Sequence, residues 1–545
     1  MKQYRADVVI IGGGLSALVC AYRLRDSGLK IIILSRGAGA SPDISGFNMP
    51  LHESDSKESF VRDTLASGQG QSDPDLVQAL ADDSAGLLSL FDEIGFHPDK
   101  DSSGALIFRR PLGAAVPRVV GQGNKTGIVL LDLLHNKIKQ SGDIEFFTGF
   151  HALRLLCGTR GNCSGVLAYD SGQGCFASIN ANAALLACGG FCKIFPFSTN
   201  SPDIGGDGIA MAYEAGLPLV DLEFVQFEPS AAVYPDPVRG RGVITTLMYE
   251  GAVLRNVHGE RFMLQYDPAG EQVNKDIMAL RIYQEIAKGN GTVHGGVFFD
   301  ATAVEPGRLD TIYDIFVERY RRCGMDIHRE AMEVAPAPHT SLGGVETAPD
   351  CSTAVKGLFV CGEAMGALHG ANRIGGNAGL ETLVFGSRAA SSVKNYLGAN
   401  PEESAQDNAD EFLQQNSSAR EISAGEIKLI RSEMETQLDK SLNVIRNGPD
   451  IEAALAVFCN KLESLQKMKA SGDPALFMKF RLENDLRTAQ LLAYSALERK
   501  ESAGCHVRSD SIPQTGCPYR IRIRKNSGNP LIEHIRIKQN AYIKE

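Results

Sequence analysis

Three glycines in a row, Gly12-Gly13-Gly14, with Ala17 three residues on, stand immediately after the apolar run Val8-Val9-Ile10-Ile11. The run is short enough for a buried strand. Beyond the glycines, Ala17, Leu18, Ala21 and Leu24 share one side of a helix predicted over Leu15 to Arg25, which Gly28 ends. Lys30 to Leu34 reads as a second strand. Glycines at this spacing let the backbone turn tightly and approach a pyrophosphate, which then sits on the first amides of the helix, those of Leu15 and Ser16 among them. Strand, turn, helix and strand in this order point to an adenine dinucleotide. The acid that would hold the ribose hydroxyls is absent, because the second strand ends Leu34-Ser35-Arg36. The fingerprint therefore leaves FAD, NAD and NADP open.

A second unit of the same kind lies far along the chain. Leu358 to Cys361 reads as a buried strand running into Gly362-Glu363, and Gly375-Gly376-Asn377 opens a helix to about Tyr396. Between the two units, Ala181 to Cys188 is a strand ending in Gly189-Gly190, and Gly206-Asp207-Gly208 precedes a helix of small residues that can pack closely. Residues 38–75 read as loops, Asp73 to Gly95 and Gly127 to Ser141 as helices, and Ile144 to Ile179 as strands with a hairpin near Asp170-Ser171-Gly172. From about 235 to 334 the character changes, with helices at Lys275–Lys288 and Pro306–Cys323, as in an inserted domain. Asn400 to Ser423 is a polar linker with a short helix. Amphipathic helices follow at about Gly425–Leu442, Ile451–Met468 and Leu476–Glu501, and then a hairpin. Arg520, Arg522 and Arg524 share one face of its first strand, and such a face is usually solvated. The expected plan is residues 1–234 and 335–400 as two parts of one dinucleotide domain, an insertion over 235–334, a helical domain over 408–503 and a C-terminal segment over 504–545.

At 545 residues the chain is too long for a single core. Its 43% apolar and 22% charged content is ordinary for a soluble globular protein, and a net charge of −10 argues against nucleic acid as a partner. No apolar run is long enough to span a membrane. The first strand starts too close to Met1 for a signal peptide, so a cytoplasmic protein is expected. Twelve cysteines include no CxxC pair, the closest approach being Cys188 and Cys192. No metal site is expected, and any iron–sulfur cluster would sit on a partner.

Taken together, IIGGGLSAL, LLACGGFCKIFPFSTNSPDIGGDGIAMAYEAG, GERFMLQYDP, PHTSLGGVET, GLFVCGEAMGALHGANRIGGN and ERKESAGCHVRSD resemble the flavoprotein subunit of fumarate reductase and succinate dehydrogenase, with its relative L-aspartate oxidase. The resemblance spans nearly the whole chain. It implies an α/β fold: a Rossmann-like FAD-binding domain interrupted by a capping domain, then a helical domain and a small C-terminal β hairpin. It also implies an FAD-dependent oxidoreductase that moves a hydride between flavin N5 and a small carboxylate-type substrate. The alternatives are an L-aspartate-oxidase-like enzyme, or a flavin electron-transfer subunit passing electrons to an iron–sulfur partner; under each reading, membrane association would run through partner subunits. By resemblance, Gly12, Gly14, Leu15, Ser16 and Ala17 face the pyrophosphate, and Ser35 and Arg36 lie near the adenosine. Gly189, Gly190 and Asp207 line the site, Glu363 holds the ribitol, and Asn377, Gly379 and Leu380 meet the pyrimidine edge. Many members carry FAD on a histidine after the second strand. Here that region reads GASPDISGFNM and the nearest histidine is His52, so FAD is expected to be non-covalent.

The catalytic part of the resemblance is incomplete. His339 and Arg373 match two of the family's substrate grips. A family histidine is replaced by Glu228, which would repel a carboxylate if ionised. The family's proton path falls on Thr245, Met248 and Leu280, with Arg281 one helical step, about 100°, from the catalytic position. None of the three can carry a proton at neutral pH, so slow fumarate reduction is expected, with Arg281 the only candidate replacement acid.

Overall fold

The computed structural model describes residues 1–158, 161–399, 409–414, 420–513 and 517–537. At its centre lies a seven-stranded sheet. Strand Lys2–Ile11 pairs in parallel with Ile31–Ser35 on one side and Cys175–Leu186 on the other. Ile144–Thr148 extends the sheet beyond Ile31–Ser35, and Leu358–Val360 pairs in parallel with Cys175–Leu186. Phe150–Cys157, Cys163–Asp170 and Cys175–Leu186 form an antiparallel meander, with the expected hairpin after Asp170. Helices Leu15–Leu24 and Asn377–Ala399 cover one face of the sheet and pack on each other. Gly386 permits that crossing, since a Cβ there would stand 2.7 Å from the Ser16 carbonyl oxygen.

The second sheet takes Val253–Arg255, Val297–Asp300, Met332–Ser341 and Val225–Tyr234 in that order. Its apolar side belongs to a core of its own, with Leu254, Phe262, Met278, Ile282, Phe299 and Phe316. Strand Val225–Tyr234 runs from the first core, at Val225 and Phe227, into the second, at Ala232, and pairs with Met332–Ser341, so the junction of the two layers falls beside Glu228 and His339. Helix Lys275–Glu285 closes the layer from above those strands.

Several local expectations are corrected. A helix at Lys57–Ser67, capped by the Ser56 hydroxyl, stands inside the stretch read as loops. The helix expected over Asp73–Gly95 is broken at Ala85-Gly86 into Pro74–Ser84 and Leu87–Ile94. That expected over Pro306–Cys323 is likewise split, into Pro306–Ile312 and Asp314–Arg321. The three C-terminal helices, Ala424–Ser441, Gly448–Gln466 and Asp473–Glu498, bury their apolar faces in the core that surrounds the central sheet. Most of the polar linker lies outside the described residues. The C-terminal hairpin, Tyr519–Arg524 with Leu531–Arg536, adds to a sheet through Leu219–Val220. Its basic face is not simply solvated. Arg520 is buried on Asp221 at 2.9 Å, and Arg522 pairs with Glu346, leaving Arg524 exposed.

Candidate functional site

A cavity of about 430 Å³ runs between the two layers. One end is a cradle of backbone. Gly12 has φ +131°, and a Cβ there would stand 2.1 Å from the Ala187 carbonyl oxygen, so only glycine fits where the first strand meets the turn. A Cβ at Gly14 would meet the Ser41 hydroxyl at 2.9 Å. That hydroxyl also accepts the Leu15 amide at the mouth of the helix, so Ser41 is a cradle residue that spacing does not indicate. Arg36 lines the cavity, its Nη1 2.6 Å from Asp207 Oδ2. The Asn484 side chain donates to the other oxygen of Asp207 at 2.9 Å. Burial works against the charge of Asp207, but Arg36 and Arg481 outweigh it and hold the carboxyl below its ordinary range.

Glu363 stands deeper. Its Oε1 accepts the Ser341 amide at 3.0 Å, and burial raises its pKa. A Cβ at Gly190 would lie 2.2 Å from both Glu363 Oε1 and Ser341 Oγ, which explains a glycine there. The residues present fit an extended dinucleotide. The glycine space is left open by backbone, and Arg36 Nε is a buried donor with no partner among the described residues.

The other end is built from side chains of four distant segments. Glu228 comes from strand Val225–Tyr234, Lys275 from the first turn of helix Lys275–Glu285, His339 from strand Met332–Ser341 and Arg373 from the loop before helix Asn377–Ala399. All four line the cavity. Lys275 Nζ donates to Glu228 Oε2 at 2.5 Å, and the Ser230 hydroxyl donates to Oε1 at 3.2 Å. Burial opposes the charge on Glu228, yet Lys275 more than offsets it, and the pKa stays below the ordinary value. Burial pushes His339 down to about 3, so its ring is neutral, and its Nδ1 lies 2.8 Å from the Thr199 hydroxyl. Arg373 is buried, and burial lowers its pKa. Its Nη1 reaches the Ile374 carbonyl oxygen only at 3.5 Å, and its Nε has no partner among the described residues. One guanidinium is thus left with donors to spare in an enclosed space.

Residues 7–378 match the FAD binding domain family, and residues 431–523 match the C-terminal family of the fumarate reductase flavoprotein. The chain belongs to the fumarate reductase and succinate dehydrogenase flavoprotein family. It is an FAD-dependent oxidoreductase, and FAD is its cofactor. It is 33% identical over 537 residues to one of the subunits of the CoM/CoB fumarate reductase of Methanothermobacter marburgensis, covering 96% of this chain and 97% of that one. It is 29% identical to L-aspartate oxidase of a Synechocystis species, over 92% and 94% of the two chains. A solved structure of E. coli quinol fumarate reductase superposes with a TM-score of 0.90 at 25% identity, covering 99% of this chain and 98% of that one.

Within this family member, Gly12, Gly14, Leu15, Ser16, Arg36, Gly189, Asp207, Glu363 and Gly379 line the cavity together with His339 and Arg373. The lining does not include Ala17, Ser35, Gly190, Asn377 or Leu380. These are supporting groups. Ala17 and Leu380 are core, Ser35 bonds the Gly37 carbonyl oxygen, and Asn377 is locked between Asn48 and Thr64. Arg281 is also absent from the lining. Its guanidinium lies 4.3 Å from the Tyr266 ring centroid and its Nη1 donates to Gln284. The expected substitute acid therefore points elsewhere, because on its helix only the first-turn position reaches the cavity. That position is Lys275, which motif and spacing do not single out. An alternating strand places Glu228 inward, and a lysine at a helix start near it is the one available signal. Thr245 lines the cavity, whereas Met248 and Leu280 do not. No helix among the described residues is long and apolar enough to cross a membrane.

Proposed function

We propose that the chain exchanges a hydride between its FAD and a small carboxylate-type substrate. Arg373 holds the carboxylate, and Lys275, oriented by Glu228, exchanges the proton at substrate carbon. The supporting observation is that Arg373, with an unengaged Nε, and the Lys275 ammonium line the same cavity as the glycine cradle. FAD supplies the hydride acceptor or donor when bound. Arg373 fixes the substrate by charge-assisted hydrogen bonds. Neutral His339, held by Thr199, donates or accepts without adding charge. The contact with Glu228 holds the Lys275 side chain in place for the proton exchange. FAD is held non-covalently. Residues 36–46 all line the cavity and include no histidine, cysteine or tyrosine, so that segment offers no nucleophile of those kinds. His52 is engaged with Ser54 and is not part of the lining. Electrons leave or enter through an iron–sulfur partner, in keeping with a relative whose own name marks it as part of a multi-chain enzyme. Any membrane association runs through such partners.

The test is anaerobic mixing of the purified yellow protein with short carboxylates, with and without co-purifying proteins, following the visible flavin absorbance. Acid precipitation of the same sample should release FAD into the supernatant. Flavin that stays on the polypeptide would refute non-covalent binding. A flavin that no carboxylate reduces, and that no carboxylate re-oxidises after chemical reduction, would refute the substrate class.

A further inference from the structure

The following rests on the reading that Arg373 takes a carboxylate, and it adds a second anchor for the same substrate. Two more arginines line the cavity, Arg241 and Arg319, together with the carboxylate of Asp43. Asp43 ends the short turn Ser41–Asp43 of the dinucleotide layer, beside the cradle residue Ser41. Arg319 stands on helix Asp314–Arg321 of the inserted layer, where Ile315 and Phe316 also line the cavity. Arg241 precedes Gly242, which bridges to Ala231 of strand Val225–Tyr234. Arg241 and Asp43 are exposed and Arg319 is half-buried, whereas Glu228 and Arg373 are buried. The first three therefore stand at the open mouth of the cavity, with one layer facing the other.

Both arginines act on Asp43, and Arg241 acts on Arg319, yet neither guanidinium has an ion pair or a hydrogen bond among the described residues. Two guanidiniums share one carboxylate at a distance. That leaves a surplus of positive charge and two unengaged forks of donors, the geometry that takes an oxyanion. This group is separate from the one around Arg373. Arg373 is acted on by Glu228, Glu363 and Glu381, and His339 by Glu228, Lys275 and Arg373, with none of the mouth charges in either set. Gly242 shows why. A Cβ there would stand 3.9 Å from Glu228 Cγ. Neighbouring side chains of an extended segment point to opposite sides, so Arg241 leaves the wall away from Glu228.

We infer that Arg241 and Arg319 form a second anion subsite at the mouth of the cavity, and that the substrate is an elongated two-headed anion. One carboxylate sits on Arg373, a second anionic group sits on the arginine pair, and the chain between them is longer than that of a four-carbon diacid. Val243 and Ile244, which follow Arg241 in the same lining, give that chain an apolar wall.

Three matched pairs of straight-chain acids test this: butyrate with succinate, hexanoate with adipate, and octanoate with suberate. The members of a pair have equal carbon number and differ in a terminal methyl group against a second carboxylate. Each is bound to the wild-type FAD-loaded protein at fixed ionic strength and measured by equilibrium dialysis. The gain from the second carboxylate should be smallest at four carbons and reach at least about fivefold at six or eight, the size expected of partly exposed charge pairs. Arg319→Ala and Arg241→Ala should each remove most of that gain, move the monoacid by less than about twofold and keep FAD. Asp43→Asn removes the opposing charge and should increase the gain. The inference is overturned if the wild type binds none of the six acids, if no length shows a gain, or if the gain is largest at four carbons. It is equally overturned if neither arginine variant lowers the gain, if Asp43→Asn lowers it, or if either arginine variant releases the flavin, which would make the pair part of the cradle. Arg373→Ala separates the two levels of the argument. If it leaves hexanoate binding intact, the carboxylate grip is misplaced. If it weakens hexanoate while the wild type gains nothing from a second carboxylate at any length, the grip stands and the second subsite falls.

Discussion

The two ends of the cavity are built in opposite ways. The dinucleotide end is made of backbone: glycines, a helix mouth and carbonyl oxygens, contributed mainly by the strand–turn–helix at the chain start. The other end, where the substrate is proposed to bind, is made of side chains, Glu228, Lys275, His339 and Arg373, brought together from segments far apart in sequence. A backbone cradle tolerates no added atom, because a Cβ meets immovable carbonyl groups. A side-chain cluster tolerates rearrangement, because one ion pair can replace another in the same volume. The first end is therefore the part on which a change has the larger consequence, and the second is the part through which specificity can change while the fold stays fixed.

The largest effect should come from the cradle. Gly12→Ala places a methyl group where the Ala187 carbonyl oxygen stands 2.1 Å away, at a φ of +131° that alanine avoids. The protein should lose FAD and melt at a markedly lower temperature, measured as the flavin-to-protein absorbance ratio and by thermal unfolding. A variant that kept its flavin and its stability would show the cradle to be as plastic as the substrate end.

Next comes the grip. Arg373→Ala should keep FAD but lower kcat/KM for an anionic substrate by about 1.5–3 kcal/mol, the range for hydrogen bonds to charged groups. Steady-state kinetics with the best carboxylate found would check it. A loss of flavin instead would mean that Arg373 belongs to the cradle, which would erase the division drawn between the two ends.

The same division governs how much is legible in the sequence. The cradle can be read from Gly12, Gly14 and the flanking strand and helix patterns, because its geometry is local and glycine has few other reasons to stand there. Glu363 and Arg373 are reached only through motifs, and Lys275 is not reached at all. Its role depends on which turn of helix Lys275–Glu285 overlies Glu228, a long-range fact that no local spacing encodes. Helix Lys57–Ser67 escapes a reading by pattern because a polar, Ser- and Asp-rich segment with a weak apolar stripe looks like loop until packing selects its Phe60, Val61 and Leu65 side. Arg520 reads as solvated because alternation along a strand cannot tell water from a buried partner such as Asp221.

A smaller effect concerns acid. His339 has an ordinary pKa of 6.5, lowered to about 3 chiefly by burial. Below pH 6.5 the unfolded chain binds a proton at this position that the folded chain refuses. The stability this histidine permits is therefore complete above pH 6.5 and is lost as the pH falls from there toward 3, by at most about 1.4 kcal/mol per pH unit. Glu228 acts in the same direction, but only below its ordinary 4.5. Between pH 6.5 and 4.5, His339→Asn should flatten the fall in urea midpoint relative to wild type. Other buried histidines such as His506 act equally in both proteins. Parallel curves would mean that His339 is protonated in the fold and is a cationic grip after all.

The smallest expected effect is that of Arg281→Ala, and its smallness is informative. Arg281 and Lys275 share one helix, six positions and about 600° of rotation apart, which leaves their side chains on different faces. Lys275 meets Glu228 in the cavity wall, while Arg281 stacks on Tyr266 and bonds Gln284 outside the lining. Removing Arg281 should cost no more than the cation–π contact, about 0.5–1 kcal/mol of stability at a partly exposed site, and should leave kcat/KM within about twofold. Lys275→Ala on the same helix should instead lower turnover by the roughly 10²–10⁴-fold that positioned acid–base groups contribute, with FAD still bound. Comparing the two variants under one assay decides which face of the helix does the chemistry. If Arg281→Ala is the damaging change and Lys275→Ala is tolerated, the helix turns by a large fraction of a revolution when substrate binds, and the proton comes from the residue that the linear spacing first suggested.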